Sequence, residues 1–108
     1  MSRVKSGILV SAALRYASNE LIDCVLARRG DAGAGAIFVH IDALDGRHKL
    51  LARSLNFDGV YEWHTITNPE WVDAQAALER LAVEINMDQD VFIVAVSDAK
   101  ARNPFEVL

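Results

Sequence analysis

The stretch that decides the fold is Val91-Phe92-Ile93-Val94-Ala95-Val96, in which every residue is apolar. Successive side chains of a strand point to opposite faces of its sheet, so a strand that is apolar at odd and even positions needs cover on both faces. The pattern therefore predicts a strand that lies in the interior of a sheet or under a partner.

Two helices and four more strands are predicted around this strand. Apolar and small residues at helical spacing indicate a helix over 8–16. An apolar stripe from Trp71 to Ile85 indicates a second helix, with Asn68 as its cap and Pro69 in its first turn. Short apolar segments between them predict strands over 22–28, 36–43, 48–54 and 60–66. We expect an α+β fold of order α-β-β-β-β-α-β, a mainly antiparallel four-stranded meander joined by the last strand and covered on one face by both helices.

The turns of this meander predict its register. Asp45-Gly46 is typical of a two-residue hairpin turn, and Phe57-Asp58 is interpreted as the next one. Both turns place opposite charges across from one another, in the pairs Asp42 with Lys49 and Arg53 with Glu62. The same register assigns seven residues to the core face: Ile37, Val39, Ile41, Leu50, Ala52, Tyr61 and Trp63.

The opposite face of the meander is mixed rather than purely polar. Beside its charged residues it carries Phe38, His40, Leu51, His64 and Ile66. Large apolar side chains exposed together are typical of a partner surface. The first functional hypothesis is therefore a non-enzymatic binding or interaction module that forms a homodimer through this face.

Length and charge exclude several classes of protein. A chain of 108 residues is expected to form one domain, residues 1–108. Its net charge of -4 argues against nucleic acid as a partner, because affinity for nucleic acid comes mainly from basic residues. The apolar run after Arg3 and Lys5 is interrupted at Arg15 and is too short to span a membrane. With Cys24 as the single cysteine, we expect a cytoplasmic protein without a membrane partner.

No metal or cofactor site is predicted from the sequence. In the predicted register His40 and His64 both pair with Leu51 and lie about 9.6 Å apart, too far to share one metal ion easily. His48 points to the other face of the predicted sheet. Cys24 has the strand parity of a buried residue, which favours a small hydrophobic role over that of a nucleophile.

A glycine-rich loop follows the first predicted strand. It contains Arg28, Arg29, Gly30, Gly33 and Gly35. Such loops bind phosphate when their amides converge at the start of a helix, but here a strand follows. We favour a hairpin loop whose glycines adopt positive φ. The second functional hypothesis is an enzyme or ligand-binding protein that holds a phosphate or carboxylate at this loop.

Several short motifs along the chain resemble one small family. They are Arg3-Val4-Lys5-Ser6-Gly7, Ala13-Leu14-Arg15, Ala27-Arg28-Arg29-Gly30-Asp31 with Gly35-Ala36, Leu44-Asp45-Gly46, and Asp88-Gln89-Asp90-Val91. Together they resemble the alphaproteobacterial family called domain of unknown function 1491. The chain departs from the expected pattern at Gln89, where a proline is expected, and at Phe92, where a tryptophan is expected. The resemblance implies a small bacterial cytoplasmic protein and brings no catalytic or binding residues.

Overall fold

The computed structural model of the protein describes residues 4–108, so Arg3 of the first motif lies outside the described residues. The α+β class and the order of elements are confirmed. The elements are α1 (Ser6–Asn19), β1 (Asp23–Arg28), β2 (Ile37–Asp42), β3 (His48–Leu55), β4 (Tyr61–Thr65), α2 (Ala74–Met87), β5 (Phe92–Ser97) and a short 3₁₀ helix (Pro104–Val107).

The five strands form one mixed sheet in the order β1-β5-β2-β3-β4. β5 runs parallel to β2 and antiparallel to β1, so the meander contains only β2, β3 and β4. The prediction of a four-stranded meander was wrong because β5 lies between β1 and β2. Its apolar residues on both faces explain the position, since a central strand can be covered on each side.

Both hairpins differ from their predicted register by one residue. Phe38 pairs with Ala52, and Leu51 pairs with Thr65. The cause is loop length, because each loop contains three residues and ends in a glycine with positive φ, Gly46 at 89° and Gly59 at 77°. Three-residue hairpin loops commonly end in this way. A shift of one residue turns every side chain of a strand to the other face.

The two shifts have opposite signs, so they reverse only the strand between them, β3. Leu51 therefore lies on the same face as Val39 and contributes to the core under α1, whereas Leu50 lies on the α2 face. Trp63 of β4 stays on the face predicted for it and packs against the α1 core.

The helices cover opposite faces of the sheet, and the prediction that both lie on one face was wrong. α1 buries Val10, Ala13 and Ala17 against alternate residues of β2 and β5. α2 buries Ala77 and Leu81 against the other set of alternate residues. The result is three layers with β5 in the middle of the sheet, which satisfies the requirement of its sequence for cover on both sides.

α2 begins later than the sequence indicated. Its cap is Asp73, whose carboxylate accepts a hydrogen bond of 2.8 Å from the Ala76 amide. The predicted cap Asn68 and Pro69 belong to the preceding loop. That loop is held beside β3 by a bridge between His48 and Val72, so the helix cannot start until the bridge has ended.

Within residues 4–108, no helix has both the length and the apolar character needed to cross a membrane.

Candidate functional site

The glycine-rich loop crosses the start of β5 instead of forming a hairpin. The Asp31 amide donates to the Asp90 carbonyl at 3.0 Å. A Cβ atom at Gly30 or Gly35 would lie 2.5 Å from that carbonyl oxygen, which leaves no room for a side chain. None of the loop glycines has a positive φ. Gly30 and Gly35 are therefore required for close contact with the backbone at the start of β5, and the predicted hairpin with positive φ was wrong.

The same loop caps the N-terminus of α1. The Gly7 amide donates to the Ala32 carbonyl at 2.9 Å, and the Ser6 amide donates to the Gly33 carbonyl at 3.4 Å. The Ser6 hydroxyl donates to the Gly35 carbonyl at 2.7 Å in a buried position. Amides at a helix start can attract an anion when they have no partner. Here loop carbonyls occupy two of them.

The arginine pair of the loop is divided between two environments. Arg28 Nη2 donates to the Gln89 carbonyl at 2.7 Å, and Arg28 Nε is buried without a hydrogen-bond partner among the described residues. Arg29 is exposed. Arg28 thus joins β1 to the segment before β5, and anion binding by the loop stays a prediction.

The five residues of the predicted interaction surface do not share one exposed face. Phe38 is 8 % exposed and Leu51 is 6 % exposed, in core clusters on opposite sides of the sheet. Ile66 packs against the α2 cluster, and His40 is half-buried. Only His64 is exposed. The surface was predicted wrongly for two reasons. α2 covers the face that was predicted to be exposed, and the side chains of β3 point to the opposite faces from those predicted.

A half-buried imidazole pair lies on the α2 face. His40 Nε2 and His48 Nδ1 are hydrogen-bonded at 3.0 Å, and His48 Nε2 lies 3.8 Å from Asp42 Oδ1. Burial lowers the pKa of His40 and the neighbouring His48 lowers it further, while Asp42 acts in the opposite direction. The predicted register missed this pair because it placed His48 on the other face.

A surface cavity of about 460 Å³ lies on the α1 face. It is enclosed by the end of α1, by β3 and β4, and by the segment 100–107 that follows β5. Its apolar wall is formed by Ile22, Leu51 and Trp63. Phe105 supports that wall, since its ring centre lies 4.9 Å from the Trp63 ring.

Three cationic side chains line the cavity, and each is held differently. Lys49 Nζ lies 3.2 Å from Glu70 Oε1 and 4.7 Å from the centre of the Trp71 ring. Arg102 forms two hydrogen bonds with Asp98, at 2.8 and 3.0 Å, and a carboxylate gripped in this way orients the guanidinium. Lys100 has no ion-pair partner among residues 4–108.

The turn that carries two of these cations is organised by Asp98. Its side chain also accepts from the Arg102 amide at 2.9 Å, so one carboxylate fixes both the backbone and the side chain. Hydrogen bonding from the Arg102 guanidinium holds the pKa of Asp98 at about 2, although burial acts against this. Asp98 therefore stays ionised at any physiological pH, and the arginine stays oriented.

Polar groups complete the lining. Tyr16, Thr65 and Asn103 contribute uncharged side chains, and Glu106 contributes a negative charge. The Asn103 amide oxygen accepts from the Phe105 backbone at 3.0 Å, while its Nδ2 is buried with no partner in the described part of the chain. The arrangement offers positive charge beside an aromatic wall, which suits a small molecule with an anionic group and an apolar body.

Cys24 and the acidic residues of the Asp88-Gln89-Asp90-Val91 motif have structural explanations. Cys24 packs against the α1 core, where burial and then Asp23 raise the pKa of its thiol to about 11, so it is protonated at neutral pH. Asp88 accepts from the Asp90 amide at 3.0 Å and shapes the turn before β5. Over residues 4–108, no three His, Cys, Asp or Glu residues come together as metal ligands.

Sequence reasoning missed the cavity because no local motif marks it. Lys49 lies more than fifty positions before Lys100 and Arg102 in the sequence, and the sequence around Lys100 is that of an ordinary turn. Only the packing of the segment after β5 across β3 and β4 brings the three cations together.

Comparison with known proteins identifies relatives over almost the whole chain. Residues 4–106 match the family model described as protein of unknown function (DUF1491). A crystal structure of a DUF1491 family protein from Caulobacter crescentus CB15 is 24 % identical, with a TM-score of 0.85 over 94 % of each chain. An NMR structure of a DUF1491 family protein from the same organism gives 24 % identity and a TM-score of 0.81, over 96 % of this chain and 94 % of that one.

A third similar structure is the solution structure of protein Atu0922 from A. tumefaciens. It is 24 % identical, with a TM-score of 0.75 over 89 % of this chain and 86 % of that chain. Among curated proteins, none matches this chain. The structural likenesses establish the shared fold, and the family model establishes membership. The chain belongs to the DUF1491 family of proteins of unknown function.

Proposed function

We propose that this protein is a non-enzymatic binding module whose cavity on the α1 face holds a small molecule with a carboxylate or phosphate group and an apolar body. The observation that carries the proposal is the convergence of Lys49, Lys100 and Arg102 on one cavity in a chain with a net charge of -4. A local positive group in an acidic protein favours an anionic ligand at that place.

The three cations would have different tasks in binding. Arg102 is oriented in advance by Asp98, so it loses little side-chain freedom when it binds an anion. Lys100 is exposed and has no ion pair to break among the described residues, so it supplies net charge. Lys49 already forms an ion pair with Glu70, so it is the weakest donor of the three. The Trp63 ring would contact the apolar part of the ligand.

The experiment compares benzoate, inorganic phosphate and benzyl alcohol as probes. Benzoate combines an anion with an aromatic ring, phosphate lacks the ring, and benzyl alcohol lacks the charge. We expect benzoate to raise the melting temperature most, because it uses both parts of the cavity. At a concentration a hundredfold above its dissociation constant, a ligand stabilises the fold by about 2.7 kcal/mol. Binding should also change the fluorescence of Trp63, which lines the cavity.

Two sets of variants locate the site. Lys100→Ala should weaken the benzoate effect, whereas Lys5→Ala makes the same change outside the cavity lining and should not. The double variant Arg28→Ala and Arg29→Ala tests the glycine-rich loop, the alternative anion site. If this double variant removes the effect of anions while Lys100→Ala retains it, the site is at the loop and the cavity proposal fails. No response of the wild type to any probe would also contradict it.

A further inference from the structure

One edge of the sheet is open to pairing with another strand. β4 forms one edge of the sheet. Every second residue of β4 forms its backbone hydrogen bonds with β3. The Ile66 amide donates to the Leu50 carbonyl at 2.8 Å, and the Asn56 amide donates to the Val60 carbonyl at 2.8 Å. In an antiparallel pair every second residue directs its backbone groups to the neighbour. The backbone groups of Trp63 and Thr65 therefore point away from β3, and they have no partner within residues 4–108.

The opposite edge of the sheet is irregular, whereas β4 is regular over the residues that the structure describes. β1 carries an irregularity between Leu26 and Arg28, where its register with β5 shifts. Bulges of this kind disturb the row of backbone groups and discourage pairing of an edge. β4 keeps a regular register with β3 over all five of its residues.

We propose that a second copy of this chain pairs with β4 antiparallel, on a two-fold axis at Trp63. A two-fold axis places the same strand of each copy side by side, and the residue at the axis faces itself. With the axis at Trp63, Glu62 faces His64 of the second copy. An axis at Glu62 or at His64 would instead place two identical titratable side chains opposite one another. The axis at Trp63 is thus the one that gives complementary cross-strand pairs.

The side chains at the edge fit this arrangement. Glu62 Oε1 lies 3.6 Å from His64 Nε2 in the same chain, and both side chains are about half exposed. The two-fold axis brings a second such pair alongside, so each carboxylate gains a second imidazole neighbour. At the axis, the outward amide and carbonyl of Trp63 exchange hydrogen bonds with the same groups of the second copy.

The tip of the β3–β4 hairpin supports the same partner. Leu55, Phe57 and Val60 are exposed there, and Phe57 is fully exposed. Exposed apolar residues beside an open edge strand favour association. In the proposed register Val60 faces Ile66 of the second copy. The hairpin tip of each copy then lies beside the loop that follows β4 in the other copy. Dimerisation would shelter apolar surface that the single chain leaves in water.

The test is sedimentation velocity over a range of protein concentrations. We expect the wild type to shift from monomer to dimer as concentration rises. Glu62→Lys should raise the dissociation constant about tenfold, because symmetry alters two cross-strand pairs at once. Adding His64→Glu to this variant places a carboxylate opposite the new lysine and should restore the dimer. Glu79→Lys makes the same charge change on α2 and serves as the control, expected to behave as the wild type.

A second variant tests the backbone pairing. Thr65→Pro removes an outward amide that β3 does not use, and proline is tolerated at such edge positions. It should abolish the dimer while the far-ultraviolet circular dichroism stays that of the folded chain. A wild type that stays monomeric at every concentration overturns the proposal. A dimer that survives Glu62→Lys and Thr65→Pro overturns it as well, since it must then use another surface.

Discussion

Replacing Gly35 with alanine should destabilise the fold far more than replacing Gly33 in the same loop. At Gly35 an added Cβ would lie 2.5 Å from the Asp90 carbonyl oxygen and 2.7 Å from the Asp31 carbonyl oxygen. Both obstacles are backbone atoms, so neither can turn aside. At Gly33 the nearest atom is the Asp31 carboxylate oxygen, at an ordinary contact distance of 3.6 Å.

The size of the difference follows from these contacts. Overpacking costs about 1–3 kcal/mol. Separating the loop from β5 would also weaken the hydrogen bond from Asp31 to Asp90, which contributes about 1 kcal/mol. Gly33→Ala is expected to stabilise by about 0.4–1 kcal/mol, because alanine restricts the unfolded chain. The two variants should therefore differ by roughly 3 kcal/mol.

Thermal unfolding followed by circular dichroism measures the difference. For a domain of this size 1 kcal/mol corresponds to about 4 °C or more, so we expect the melting temperatures to differ by roughly 12 °C. Urea unfolding at one temperature gives the same comparison as a free energy of unfolding. Equal stability of the two variants would refute the close contact between the loop and the start of β5, and with it the explanation of these glycines.

Three further predictions test the packing, the helix start and the imidazole pair. Leu51→Ala should lower the free energy of unfolding by about 2–5 kcal/mol because the side chain is buried, whereas Leu78→Ala on exposed α2 surface should change it little; equal effects in urea unfolding would contradict the register of β3. Asp73→Ala should cost about 1 kcal/mol in the same assay as the cap of α2 is lost, and a neutral effect would place the helix start elsewhere. The pKa of His40 in the folded protein is below the ordinary value of 6.5, so His40 binds a proton more readily in the unfolded chain. The free energy of unfolding is therefore highest above pH 6.5 and should decrease as the pH falls below 6.5. Between about pH 7.5 and about pH 5.5, the free energy of unfolding should decrease less for His40→Gln than for the wild type. An equal decrease in both proteins would exclude His40 as the source of the pH dependence.

The sequence predicted the elements well because their signals are local. The apolar run of β5 and the helical spacing in α1 and α2 each depend on residues close together in the chain. Strand β3 was oriented wrongly because orientation depends on the length of two loops. Leu44 extends the first turn from two residues to three and Gly59 extends the second, and each difference of one residue contributes to reversing the strand between them.

Sites were less predictable than elements, because they depend on packing between distant segments. The Arg-Arg-Gly-Asp sequence was recognisable as a family marker, yet its glycines serve contacts with Asp90 and with the start of α1 that no local pattern reveals. Lys100 and Arg102 become part of a cavity only when the segment after β5 folds across β3. The imidazole pair likewise depends on the register of β3.

The position of β5 has a consequence for the order in which the protein is assembled. β1 and β2 follow one another in the chain, yet in the sheet they are separated by the width of one intervening strand. During synthesis both strands emerge before residues 92–97, so the slot between them stays empty until four strands and both helices have been made. Folding that waits for such distant partners is slow, and open strand edges invite pairing with other chains. The nascent chain therefore carries its greatest risk of misassembly after β2 has emerged and before β5 emerges.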